Sequence, residues 1–175
     1  MSAAITLFEQ QGYDETTIAE IAEAAGLTKR TFFRYFTDKR EVLFSGADQL
    51  IELWVAAVAG APPQATPMAA VGLGLDAVAE LFSDRHEYAC IRARIVNANP
   101  ELQERELIKL QSLAGAIKLA LRERGVSMNA AILAAQAGVT VFHVAFAHWV
   151  EQDDPTVFRR LMEESLDELR SVTAA

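Results

Sequence analysis

An all-α fold of about nine helices is what this 175-residue sequence predicts, on three observations. Apolar residues in Ala-rich stretches recur at helical spacing, alternating strand-type runs are nearly absent, and cap chemistry marks the ends of the stretches. The first helix is expected over Ser2–Gln11, with Ala4, Ile5 and Phe8 inward and Gly12 as its stop. Thr17 and Glu20 form a capping box that opens a second helix, in which Ile18, Ile21, Ala22 and Ala25 share one side. Gly26 ends it, and Thr28 caps a third helix reaching Phe36. Asp38 and Glu41 form another box, expected to open one long helix to about Val58. Three prolines within Ala59–Pro67 break the pattern, and Thr66-Pro67 restarts it up to about Ser83. Further helices are expected at 85–98, from Asn99-Pro100 to Gly125, from Ser127 to about Glu151, and from Asp154-Pro155 onward.

Composition narrows the function. The chain is 51% hydrophobic and 23% charged, which excludes a disordered chain. Its single cysteine excludes a disulfide framework. Polar residues interrupt the apolar stretches before bilayer-spanning length and the start lacks a basic-then-apolar leader, so a cytoplasmic protein with no membrane partner is expected. The net charge is −8, yet residues 28–40 carry a net +4, leaving −12 for the other 162 residues. An acidic chain with one basic island does not coat nucleic acid, but it can read it locally.

The island falls on the third helix. Two short helices joined by Gly26-Leu27-Thr28 have the size and turn of a helix-turn-helix. At 100° per residue, Phe32 and Phe36 share the core side, and Arg30 and Arg34 lie opposite with Thr31 beside them. Arginine suits a groove because its planar fork pairs with guanine O6 and N7 or clamps phosphate. Phe33 and Tyr35 flank that face, within reach of sugar, phosphate or thymine methyl. Thr17 and Lys39 sit at helix starts, where phosphate is held.

The run LFEQQGYDETTIAEIAEAAGLTKRTFFRYFTDKREVLF resembles the N-terminal domain of TetR-family transcriptional regulators, over residues 4–44. The resemblance implies a DNA-binding domain at 1–44, and a ligand-binding and dimerisation domain at 45–175. It implies phosphate contacts from Thr17 and Lys39, and a groove face of Thr28, Lys29, Arg30, Thr31 and Arg34. Two departures stand out. Phe33 occupies the place of a tyrosine whose hydroxyl usually bonds phosphate. The sequence also begins inside the first helix, without the basic residues that usually precede it. Either the start is trimmed, or the head has fewer phosphate anchors.

In the second part, the helix after Ser127 is apolar on nearly every side, as a helix buried on every side would be. Its small residues Ala134, Gly138 and Ala145, with Phe142 and Trp149, are expected to admit a partner helix. Leu161 and Leu166 on the last helix would complete a four-helix homodimer interface. Gln136, Thr140 and His143 form a polar stripe on the opposite side, a candidate ligand lining with Phe82, His86, Tyr88 and Arg92. The run RARIVNANPELQERELIKLQSLAGAIKLALRERG with VFHVAFAHWV is similar to regulators with an acyl-CoA-like ligand-binding domain, implying a hydrophobic effector with an anionic end that Arg92 or Arg94 meets.

Catalytic and metal chemistry find little footing. His86 and Cys90 share a helix face at i, i+4 but lack a third ligand, and no phosphate loop or nucleophile elbow is present. No enzyme, metal or cofactor is expected. The sequence reading is therefore a homodimeric repressor on double-stranded DNA, at a palindromic operator, released by a hydrophobic small molecule. The helix expected from Lys39 to Val58 would be the transmitter. The rival is a helical binding or scaffold protein that does not read DNA.

Overall fold

The computed structural model describes residues 3–174, so Ser2, the expected first helical residue, lies outside the described residues. Among the described residues there are nine α-helices and no strand. They are α1 (Ala3–Gln11), α2 (Ile18–Ala24), α3 (Lys29–Tyr35), α4 (Ala47–Gly60), α5 (Pro67–Phe82), α6 (His86–Ala98), α7 (Pro100–Glu123), α8 (Met128–Trp149) and α9 (Phe158–Thr173).

The helix ends follow from local chemistry. At α2 the Thr17 hydroxyl accepts from the Glu20 amide at 3.3 Å, and the Glu20 carboxylate accepts from the Thr17 amide at 2.8 Å. At its other end Gly26 takes a left-handed φ of +67°, and the Leu27 amide reaches back to the Ala22 carbonyl at 2.8 Å. That is a Schellman closure, which any side chain at Gly26 would strain. Thr28, Thr66 and Ser127 cap α3, α5 and α8 in the same way as Thr17, each accepting an amide three residues on.

One expected helix is not continuous. Asp38 does accept the Arg40 and Glu41 amides, at 2.9 and 3.2 Å, but it opens only a 3₁₀ turn at Arg40–Val42. The chain then turns until α4 begins at Ala47. Val42, Leu43 and Phe44 are all buried. A helix with one face to a core buries every third or fourth residue, not three in a row, so the backbone leaves the helix there.

The chain forms two compact units, Met1–Gly46 with Glu87–Leu107, and Ala47–His86 with Ile108–Ala175. Glu87–Leu107, expected in the C-terminal domain, belongs to the first unit. Its Ile91, Ile95, Val96 and Leu102 enter the same core as Ile5, Phe8, Ile21, Phe32 and Leu43. Polar contacts reinforce the packing. Arg92 Nε donates to the Leu43 carbonyl at 2.8 Å, Arg105 Nε to Glu41 at 2.7 Å, and Arg94 to Glu9 at 2.7 Å.

In the second unit the Trp54 indole is fully buried, and Nε1 donates to the Val71 carbonyl at 3.2 Å. It fits because two helices present glycine to it. A Cβ on Gly74 would stand 1.8 Å from Trp54, and one on Gly138 would stand 2.3 Å from Val71 and 3.5 Å from Trp54. Phe82, Phe142, Phe146, Trp149 and Phe158 form an aromatic cluster, with Trp149 stacked on Phe158 at 4.4 Å and 18°. By length and composition two stretches, Arg40–Gly60 and Met128–Trp149, are apolar enough to cross a membrane, contrary to the sequence expectation. The first is interrupted by the turn before Ala47, and the second buries nine residues within its own unit.

Candidate nucleic-acid interface

The first unit fixes α3 from one side. Phe32 is buried and meets Phe36 at 5.3 Å, so the core anchors that face. Lys29, Arg30, Phe33, Arg34 and Tyr35 are exposed, and Thr31 is half-buried. Cations segregate to solvent because Phe32 and Phe36 claim the inner side, as the spacing predicts. Thr28 is held by the start of α3, its hydroxyl 3.0 Å from that of Thr31. Thr17 is exposed at the start of α2, where its hydroxyl also contacts the Glu20 carboxylate at 2.8 Å. That Glu20 carboxylate sits below the usual carboxylate range, because it accepts from the Thr17 amide and hydroxyl. Arg34 lies across Tyr35, with Nη2 3.0 Å from the Tyr35 hydroxyl and the guanidinium 4.8 Å from the ring centre.

Lys39 departs from its expected role. Its ammonium donates to the carbonyls of Tyr13, Asp14 and Thr16 at 2.7, 3.0 and 3.1 Å, and lies 4.3 Å from the Tyr13 ring centre. An ammonium has three N–H donors, and all three are engaged. Lys39 therefore ties the α1–α2 turn together and has no donor left for phosphate. Tyr13 is itself fixed at the other end. Burial, then a hydrogen bond to the Glu101 carboxylate, pushes its phenol well above the usual range.

The assignments on α8 are reversed. Ala134, Gly138, Phe142, Ala145 and Trp149 are buried inside their own unit, so they are core and not a surface for a partner. Gln136, Thr140 and His143, expected to line a cavity, are exposed. Gln136 donates to Gln111 at 3.2 Å, and Thr140 to the Gln136 carbonyl at 2.9 Å. The residues that the sequence reading missed are those beside them, Ile132, Leu133 and Val144, all exposed. With Leu161 and Leu169 of α9, both half-buried, and Val172, which is 70% exposed, Val144 borders an open groove of about 400 Å³. Leu166 is half-buried on α9. The polar stripe is thus the solvent side of α8 and the small-residue side is covered by the chain's own helices, a choice that only the packing could make.

The remaining ligand candidates do not converge. Arg92 is paired with Glu106 at 2.8 Å, lies over the Phe44 ring and bonds Leu43, which makes it part of the first unit's frame. Tyr88 packs against that same core. Phe82 belongs to the second unit's aromatic cluster, and a His86 ring nitrogen lies 3.1 Å from the Trp149 carbonyl. Arg94 is an exposed partner of Glu9.

Comparison with known proteins agrees with this architecture. The family model described as "Bacterial regulatory proteins, tetR family" matches residues 1–45. The HTH-type transcriptional regulator TcmR of Streptomyces glaucescens is 39% identical over 75 residues, 43% of this chain and 33% of its own length. The chain thus aligns with only a third of that relative. Among solved structures, a TetR-family regulator from Mesorhizobium loti is 20% identical with a TM-score of 0.62, covering 97% of this chain and 92% of its own. Thermus thermophilus FadR, a TetR-family repressor in complex with lauroyl-CoA, is 23% identical with a TM-score of 0.59, covering 99% and 92%. At those identities the structures establish the shared fold. Residues 1–45 thus match the N-terminal domain of the TetR family of bacterial regulatory proteins, and the chain as a whole shares the fold of solved TetR-family regulators.

Proposed function

We propose that this chain reads double-stranded DNA through α3 and acts as a homodimeric repressor at a palindromic operator. The observation that carries the reading is the α3 surface, where Arg30 and Arg34 stand in solvent opposite a buried phenylalanine. An exposed arginine pair on the second helix of a helix-turn-helix suits guanine edges and phosphates. Thr17, Thr28, Lys29, Thr31 and Tyr35 complete the surface, without Lys39.

Two reading heads require two copies. The outer faces of α8 and α9 favour the dimer, because Val144, Leu161, Leu169 and Val172 leave apolar area open along their groove. A second copy presenting the same strip would close a four-helix interface. The effector proposed on the resemblance is a hydrophobic small molecule of the acyl-CoA kind, entering the second unit. Phe82 and His86 remain its candidate contacts. To release DNA, it must bind the DNA-incompetent arrangement more tightly than the competent one. A cytoplasmic location goes with this function.

Fluorescence anisotropy on DNA from the protein's own upstream region tests the proposal. Binding whose log affinity falls steeply and linearly with log salt is expected, since each phosphate contact releases counterions. Reversal by lauroyl-CoA in the same cuvette supports the effector class. Failure to bind duplexes selected from a random library would refute the regulator and favour the scaffold.

A further inference from the structure

α3 exposes one side chain that no phosphate can hold. Phe33 is 54% exposed and has no polar atom, in a helix whose other exposed side chains are Lys29, Arg30, Arg34 and Tyr35. Its ring is braced from beneath. It meets Phe32 edge to face at 5.6 Å and 90°, and Phe32 is 2% exposed and in turn contacts Phe36. An aromatic ring held outward on a rigid base is a poor neighbour for water and a good one for hydrocarbon. On the floor of the major groove, the hydrocarbon that a base pair presents is the C5 methyl of thymine.

Resting on the reading of α3 as the groove helix, we propose that Phe33 is a specificity-determining residue that packs against a thymine methyl in each operator half-site. That position is then read by burial and shape, while Arg30 and Arg34 supply the polar contacts. A phenylalanine against deoxyribose would also be buried, but it would carry no sequence information. The two arrangements differ in what removal of one methyl does.

The full chain is used to enrich duplexes from a random library. Each thymine of the enriched half-site is then replaced in turn by deoxyuridine, which deletes only the methyl. Wild type is expected to lose about fourfold in affinity at one thymine per half-site, the weight of one buried methyl. Phe33→Ala should show no loss at that same thymine, and Phe33→Leu, which keeps apolar bulk and guards against a folding artefact, should retain it. Wild type tolerating deoxyuridine at every position overturns the proposal, as does Phe33→Ala losing as much as wild type. Enrichment of no sequence at all would refute DNA reading itself, and this assignment with it.

Discussion

Replacing Lys39 with methionine keeps the side chain's length and removes its charge and all three donors. The carbonyls of Tyr13 and Thr16 are part-buried and that of Asp14 is exposed, so water replaces the ammonium fully only at Asp14. A hydrogen bond to a charged group contributes roughly 1.5–3 kcal/mol, and at two partly wetted acceptors the lower end applies. The variant should therefore lose about 2–3 kcal/mol. For a chain of this size that lowers the thermal midpoint by roughly 5–10 °C. Thermal melts by circular dichroism measure the shift, and the salt dependence of DNA affinity is measured on the same preparation. Since Lys39 makes no phosphate contact in this account, the slope of log affinity against log salt stays unchanged below the midpoint. A variant with wild-type melting and a slope smaller by about one unit would refute the reasoning, because that is the signature of a lost phosphate contact.

Replacing Arg30 with alanine should cost roughly 1–3 kcal/mol at the operator and relax specificity at one base position, read by binding to single-base variants; equal loss on every sequence would show a phosphate contact instead. Gly138→Ala puts a Cβ against Val71 inside the protomer, so it should lower stability by about 1–3 kcal/mol while leaving the sedimentation mass unchanged. Leu169→Asp combined with Val144→Asp should shift that mass from dimer to monomer, and an unaltered mass would exclude the α8–α9 groove. Asp38 is held below the usual carboxylate range, first by its hydrogen bond from Arg40. A carboxyl lowered on folding adds stability above its unfolded pKa and loses it as pH falls through the folded value. Asp38→Asn should therefore flatten the acid-side fall of the thermal midpoint, and an unchanged fall would show that the pair contributes nothing.

Three segment boundaries, not one, separate the two units along the chain. The chain crosses between the units after Gly46, after His86 at the start of α6, and after Leu107 within α7. The run from Lys39 to Val58, expected as one helix, is instead a 3₁₀ turn at Arg40–Val42 followed by a separate α4. Arg92, Arg94 and Arg105 on α6 and α7 bind the head's own residues, which explains why these arginines need no ligand anion.

The number and order of the helices, and their ends except the start of α4, were legible in the sequence because their causes are local. Thr17 and Glu20, Gly26, Thr28, Thr66 and Ser127 act within three or four residues of themselves, and Phe32 and Phe36 need only helical spacing to define an inner side. Three things depended on distant partners. Lys39 finds acceptors 23 to 26 residues away. Arg92 finds a carbonyl 49 residues away, at a break made by three consecutive buried side chains. The polar stripe of Gln136, Thr140 and His143 marks one side of α8, but whether the same chain or a partner covers its small-residue side is not decided by the local sequence. That choice was made by Trp54 and Val71, which leave room at position 138 for a glycine alone.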